Sequence, residues 1–474
     1  MALSDPAYLI FLAAAVLGLR CFPAGILRLL ALVFLSLAFY ICFTPWYALI
    51  LLAVIGVAYP GGIVLARMKF GTMRFAIFIV VLAMIFAPLF VFKYLASLFG
   101  HVSDPLGMAD TFFANVVLPI GISFYTFQAA GYVIDVYLDN VTVERNFVRF
   151  TSFLCFFPIM SAGPIERGAH LLPQLPNVGN FDYGRSVAGL RAILIGLVLK
   201  VVIADSLGPL VDRIYSSPSS YGAIDLCLAT FYFSFQVYAD FAGYTLIAIG
   251  SARLLGLELL PNFAQPFLSQ TIPEFWRSWH ISMSSWFRDY VFTPLQFYWR
   301  RAGTIGLVAA LTVTFLLVGI WHGAGWKFVI FGFAHGALVS ASTLSMKMRN
   351  QFWKHIGVPP RALFIWRSVA TFTVATSTFV LFRADSLVDA IGIYKGILFG
   401  SMQSITLPLA WPGALIGTVI VYDLAVRFNW SLGLGGILYR WSAYYLATSC
   451  IIAVIFLRTL DGSQEGQQFL YFKF

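Results

Sequence analysis

Apolar runs close to the thickness of a bilayer recur from one end of this chain to the other, and they constrain its fold more than any other feature. A helix needs about 20 residues to cross the hydrocarbon. Runs of that order lie near 7–19, 24–43, 46–66, 75–97, 113–137, 186–209, 222–246, 303–321, 326–345, 365–383, 410–426 and 441–458. With no water to bond, backbone in hydrocarbon must pair within its own element, and runs this long do so as helices. The expected fold class is therefore all-α: a polytopic integral membrane helical bundle of about 11–12 spans plus re-entrant and amphipathic helices. Spans pack into one bundle, so residues 1–474 read as a single membrane-embedded domain. The first run is short, and it is either tilted, half-inserted or continuous with the second.

Charge patterning sets the orientation. Only 11% of the residues are charged, against about a quarter in soluble domains. The net charge of +10 is carried at span ends, which the positive-inside rule explains, so no nucleic-acid partner is expected. Arg67, Lys69 and Arg74 mark a cytoplasmic loop, and alternation from there places Arg145, Arg149, Arg277, Arg288, Lys347 and Arg427 inside. Asp104, Asp110, Asp205, Asp212, Asp385, Asp389, Asp461 and Glu465 fall outside, with Arg213 and Arg458 as exceptions. Both termini are then expected to be extracytoplasmic. The amino terminus lacks a basic region and a small-residue cleavage site, so its apolar run reads as a retained span. The five cysteines are scattered and read as packing residues.

Two stretches depart from simple loops. Residues 150–165 are apolar but carry Pro158, Gly163 and Pro164, which suits a segment that dips in and returns under protein cover. Residues 275–298 mix Trp276, Trp279, Trp286 and Phe287 with Arg277, His280, Arg288 and Asp289, as an interfacial amphipathic helix or a buried polar seam does.

Chemistry concentrates at Gly319-Ile-Trp-His322-Gly-Ala-Gly-Trp326, a glycine cluster read as helix-breaking between two spans. Ionisable groups in a membrane are costly and are paired or functional. His322 reads either as a hydrogen-bonded structural histidine or as a base acting near neutral pH. His280 and His335 share aromatic, apolar surroundings, whereas His101, His170 and His355 fall at loops. No metal-ligand spacing, nucleophile elbow, P-loop or dinucleotide fingerprint is present. A lone histidine suits acyl transfer from a thioester to a hydroxyl, because the donor is already activated. One base deprotonates the acceptor and one donor steadies the oxyanion. His322 fits the base, with His280, Asn262 or a Trp or Tyr donor as support. A proton-linked carrier using Asp240, Lys200 and His322 is the rival from another class.

Several blocks in order carry a family resemblance: Pro119-Ile-Gly-Ile-Ser-Phe-Tyr-Thr-Phe127, Gly163-Pro-Ile-Glu-Arg167, Asp240-Phe-Ala-Gly-Tyr244, Pro261-Asn-Phe263, Phe275-Trp-Arg-Ser-Trp-His280, Trp286-Phe-Arg-Asp-Tyr-Val-Phe-Thr-Pro-Leu295 and His322-Gly-x-x-Trp326. They resemble the membrane-bound O-acyltransferase family, and its bacterial alginate O-acetyltransferase branch in particular, over a core of residues 115–385. The resemblance implies His322 as the catalytic histidine, His280 as its polar support and a structural His335. It implies a tunnel through the bundle with His322 at its waist. It further implies acetyl-coenzyme A, or another acyl-coenzyme A or acyl-carrier thioester, as donor substrate, with no bound cofactor and no metal. An extracytoplasmic polysaccharide such as alginate is the implied acceptor, with lipid, protein or D-alanyl transfer as alternatives. Periplasmic acetyltransferase or polysaccharide-modification proteins are the implied partners, in a bacterial inner membrane whose lipid surrounds the chain.

Arg277 and Arg288 read either as partners of Asp240 or as ligands of the coenzyme phosphates. The expected donor- and substrate-binding set is Arg277, Arg288, Asp240, Asn262, Trp321 and Trp326. The tail, residues 461–474, ends in Phe469-Leu-Tyr471-Phe-Lys-Phe474. It either seats aromatics in the interface or presents Tyr471 as a transient acyl acceptor, as similar Phe-x-Tyr-x-x-Phe ends among envelope-acylating relatives suggest.

Overall fold

The structure is a computed structural model and describes residues 3–42, 45–95, 118–402, 404–429, 448–449 and 470. The described residues are helical and contain no strand; one isolated antiparallel bridge joins Phe263 and Trp279. Among the described residues, six helices combine the length and hydropathy needed to cross a membrane: Pro45–Arg67, Thr72–Leu95, Tyr183–Tyr215, Arg300–His322, Trp326–Leu344 and Pro360–Arg383. Pro6–Cys21 and Ile26–Ile41 are shorter apolar helices, separated at Pro23 and Gly25, so the first run is not continuous with the second. The runs at 222–246 and 410–426 are helical within Ala223–Leu254 and Ala410–Arg427. Of the run at 441–458, only 448–449 are described.

Contacts divide the chain into two compact units. The first comprises Met1–Gly196 and Tyr244–Pro261. In it the stretch 150–165 forms two short helices, Phe147–Leu154 and Phe157–Met160, and every residue from Phe150 to Glu166 is buried. Protein groups satisfy this irregular backbone: Gln128 Nε2 donates to the Phe153 carbonyl at 2.7 Å, and Glu166 accepts from the Leu260 amide at 2.6 Å. Gly121, at φ 74°, starts the helix Ile122–Tyr137, and a Cβ there would collide with the Met160 carbonyl.

The second unit comprises Leu197–Gly243 and Asn262–Phe474. It contains the antiparallel hairpin of Gly303–His322 and Trp326–Leu344. Two helices appear that the apolar runs do not announce. Met346–Ile356 is a surface helix with Lys347, Arg349, Lys354 and His355 and no buried residue. Leu387–Phe399 starts at a capping box of Ser386 and Asp389.

Candidate active site

The glycine cluster does not break its helix at Gly319. The helix runs through to His322, the chain turns over at Gly323–Gly325, and the next helix begins at Trp326. Gly319 is there for contact: a Cβ on it would strike the Phe328 carbonyl, and one on Gly332 the Phe315 carbonyl. Small residues let two membrane helices touch backbone to backbone. That contact fixes His322 on the last turn, 3% exposed. The rings of Trp321, Phe382 and Phe331 stand edge-on to its imidazole at 4.8, 5.0 and 5.9 Å. His322 faces a small pocket shared with Trp276, Trp279 and Phe379.

His280 reaches the same cluster from another element. The helix Ile272–Ser278 is capped by Thr271, whose hydroxyl accepts from the Glu274 amide at 3.2 Å. The chain then reverses at His280, in the left-handed region at φ 44°, a conformation that costs a non-glycine residue free energy. Asn262 holds the reversal. Its carbonyl accepts from the Ile281 amide at 2.9 Å, and its Oδ1 accepts from the Ser282 amide at 3.2 Å and hydroxyl at 2.6 Å. The fully buried His280 ring lies 4.6 Å from Phe241 and 5.5 Å from Trp321. Trp321 therefore touches both candidate histidines. Burial keeps the His280 imidazole neutral, its pKa pushed down to about 3.

Trp276 is a wall shared by two cavities. One is the His322 pocket; the other is a cleft of about 240 Å³ lined by Arg277, Arg288, Ser284 and Ser285. Both arginines are exposed, so this cleft reaches the surface, and Arg288 also pairs with Asp289 at 2.8 Å. The cleft offers cations at its rim and an apolar wall toward His322, which suits a phosphate-bearing thioester.

Asp240 is not paired with Arg277 or Arg288. Its Oδ1 lies 2.7 Å from Lys200 Nζ in an ion pair, and Lys200 also meets Asp205 at 2.8 Å. The segment Val198–Ala204 is a π-helix; its i→i+5 register brings Lys200 and Asp205 to one face, which an α-helix would not do. Trp326 is 74% exposed and stands apart from the histidine cluster. Tyr471 lies outside the described residues. Among the described residues no three His, Cys, Asp or Glu side chains gather as a metal site. Sequence reading missed the shared wall at Trp276 and the clamp by Ser282, which only the packing reveals. Lys200 and Asp205 did carry a signal, as ionisable residues within an apolar run.

Residues 140–381 match the model of the MBOAT, membrane-bound O-acyltransferase, family, just over half of the chain. The chain is 34% identical over 331 residues to "Probable alginate O-acetylase AlgI" of Pseudomonas aeruginosa, covering 69% of this chain and 61% of that protein. It is 37% identical over 284 residues to the protein of that name from Azotobacter vinelandii, covering 60% and 54%. It is 31% identical over 310 residues to "Peptidoglycan O-acetyltransferase" of Helicobacter pylori, covering 60% and 57%. The chain thus spans less than two thirds of the length of these relatives.

Proposed function

The chain belongs to the membrane-bound O-acyltransferase family, and on that premise we propose that it moves an acyl group, acetyl by this reading, from a cytoplasmic thioester donor toward hydroxyls of an extracytoplasmic polysaccharide such as alginate. The observation that carries the reading is Trp276, which separates a cationic cleft from the pocket of His322. Arg277 and Arg288 hold the phosphates of acetyl-coenzyme A, and the acyl end reaches past Trp276. His322 takes the proton of the acceptor hydroxyl, the oxygen attacks the thioester carbonyl, and the intermediate collapses with loss of thiolate. The proton held by His322 leaves with the thiol. His280 and Trp321 shape the pocket around this proton transfer.

The acceptor near His322 is the phenol of Tyr471, and the resulting ester passes to the polymer through a periplasmic acetyltransferase. The chain then works in the bacterial inner membrane with both termini outside. Identity to the alginate O-acetylases supports alginate as acceptor, and identity to the peptidoglycan enzyme favours peptidoglycan as the other reading. The family match weighs against the carrier reading.

The test incubates membranes holding the chain and its periplasmic partners with labelled acetyl-coenzyme A and polymer. Label should enter the polymer, and His322→Ala should lower transfer on the order of 10²–10⁴-fold. Near-normal turnover by folded His322→Ala would remove the assigned base.

A further inference from the structure

Asp240, Lys200 and Asp205 form a charge cluster with almost no exposure: 2%, 2% and 6%. Two carboxylates share one ammonium. Removing such groups from water is costly, so further donors are needed to offset it. Lys200 Nζ, 2.7 Å from Asp240 Oδ1 and 2.8 Å from Asp205, serves both acids. The other oxygen of Asp240 accepts from the main-chain amide of Leu470 at 2.8 Å, a partner 230 residues away and itself 3% exposed.

We infer that Asp240, held in place by Lys200 and Asp205, is an internal docking site for the main chain of this protein's own C-terminal segment. A backbone amide reads no side chain, so this contact holds Leu470 by its main chain alone. A hydrogen bond from an amide to a buried carboxylate is of the strong, charge-assisted kind. The next residue of the same helix, Phe241, lies 4.6 Å from the His280 ring. Neighbouring residues of one helix thus hold Leu470 and line the histidine cluster. Asp240 is therefore a positioning residue for whatever follows Leu470. The docking does not depend on acyl transfer; only its consequence for transfer rests on the proposed function.

The test uses the full chain with its native cysteines replaced by serine and a nitroxide on a cysteine substituted for Lys473. Leu470→Pro deletes the amide hydrogen and leaves all three charges in place. It should sharpen the nitroxide spectrum toward that of a free chain end and speed proteolytic release of the tail on the order of tenfold or more. Asp240→Ala should do the same, while Asp240→Asn, which keeps an acceptor oxygen, should stay close to the parent. A broad, unchanged spectrum in folded Leu470→Pro overturns the docking. Should Asp240→Ala fail to fold, Leu470→Pro decides alone. A freed tail with undiminished polymer acetylation keeps the docking and removes the relay from the proposed function.

Discussion

The indole Nε1–H of Trp276 donates to Nδ1 of His335 across 3.1 Å, and this bond decides which nitrogen of His335 carries the proton. An indole nitrogen can only donate, so Nδ1 is bare and the proton sits on Nε2. From there it goes to the Thr378 hydroxyl at 2.8 Å, whose own hydrogen goes to the Ala375 carbonyl at 2.6 Å. The donors run in one direction and leave His335 neutral with both nitrogens occupied. His335 therefore orients Trp276, the wall between the cleft and the His322 pocket.

His335→Ala should cost about 2–4 kcal/mol of stability, through the cavity it opens and the indole N–H it strands. It should still retain more acyl transfer than His322→Ala. Thermal unfolding in detergent and a turnover assay check the two halves. Equal, complete loss of activity in a stable His335→Ala protein would put His335 in the chemistry instead.

The clamp at Asn262 makes a separate prediction. Asn262→Ala strands the buried Ser282 amide and releases a reversal that holds His280 at φ 44°. The expected loss is about 1–3 kcal/mol, with turnover falling more than donor affinity. Ser282→Ala keeps the bond from the Ser282 amide to Asn262 and should be milder. Comparable losses from both would mean that the hydroxyl alone does the holding.

The site was legible in the sequence where the chemistry is local and obscure where it depends on distant packing. His322, its glycines and the following aromatic fall within one short stretch, so the motif could be read directly. The spans at 303–321 and 326–345 match the helices Gly303–His322 and Trp326–Leu344, but composition does not reveal that Gly319 lets the two helices touch. The pairing of Lys200 with Asp205 needs a π register, which periodicity at 3.6 residues cannot foresee. Asp240 and Leu470, or Trp276 and His335, meet only after the chain has folded. The helix Leu387–Phe399 did have its capping signal at Ser386 and Asp389. Its apolar run is too short to cross a bilayer, so span length alone does not reveal it.

The pH profile should belong to His322 alone. Burial holds the His280 pKa down at about 3, so this ring stays neutral from pH 5 to 9 by a wide margin. A base is lost when it gains a proton, so transfer should fall at low pH, and His280, already neutral there, should not set that limb. His280→Gln should reduce the rate and leave the midpoint of that acid limb in place. A limb that moves in His280→Gln would show the two histidines titrating as a pair.

Under the proposed function, Arg277→Ala and Arg288→Ala should each raise KM for the coenzyme A donor with kcat nearly unchanged, because contacts at the rim would hold the donor equally in ground and transition states. Both side chains are exposed, so salt screens them. The difference from the parent should shrink as ionic strength rises. Arg288 already pairs with Asp289, which predicts the smaller effect at that position. A fall in kcat with unchanged KM would place the donor elsewhere.

Under the proposed function, transfer at Tyr471 has two separable stages. A phenol has an ordinary pKa of about 10, well below that of a sugar hydroxyl, so its ester is the better donor for a second step. With the periplasmic acetyltransferase absent, mass spectrometry of the C-terminal peptide should find one acetyl ester, and His322→Ala should abolish it. Tyr471→Phe should stop polymer acetylation without lowering protein abundance, and it should leave consumption of acetyl-coenzyme A with no phenol to accept the group. The docking of Leu470 on Asp240 is made by main chain, so Tyr471→Phe does not remove it and any loss belongs to the hydroxyl. Normal polymer acetylation in Tyr471→Phe would rule out the relay and leave the role of His322 standing, since another hydroxyl would then be the first acceptor.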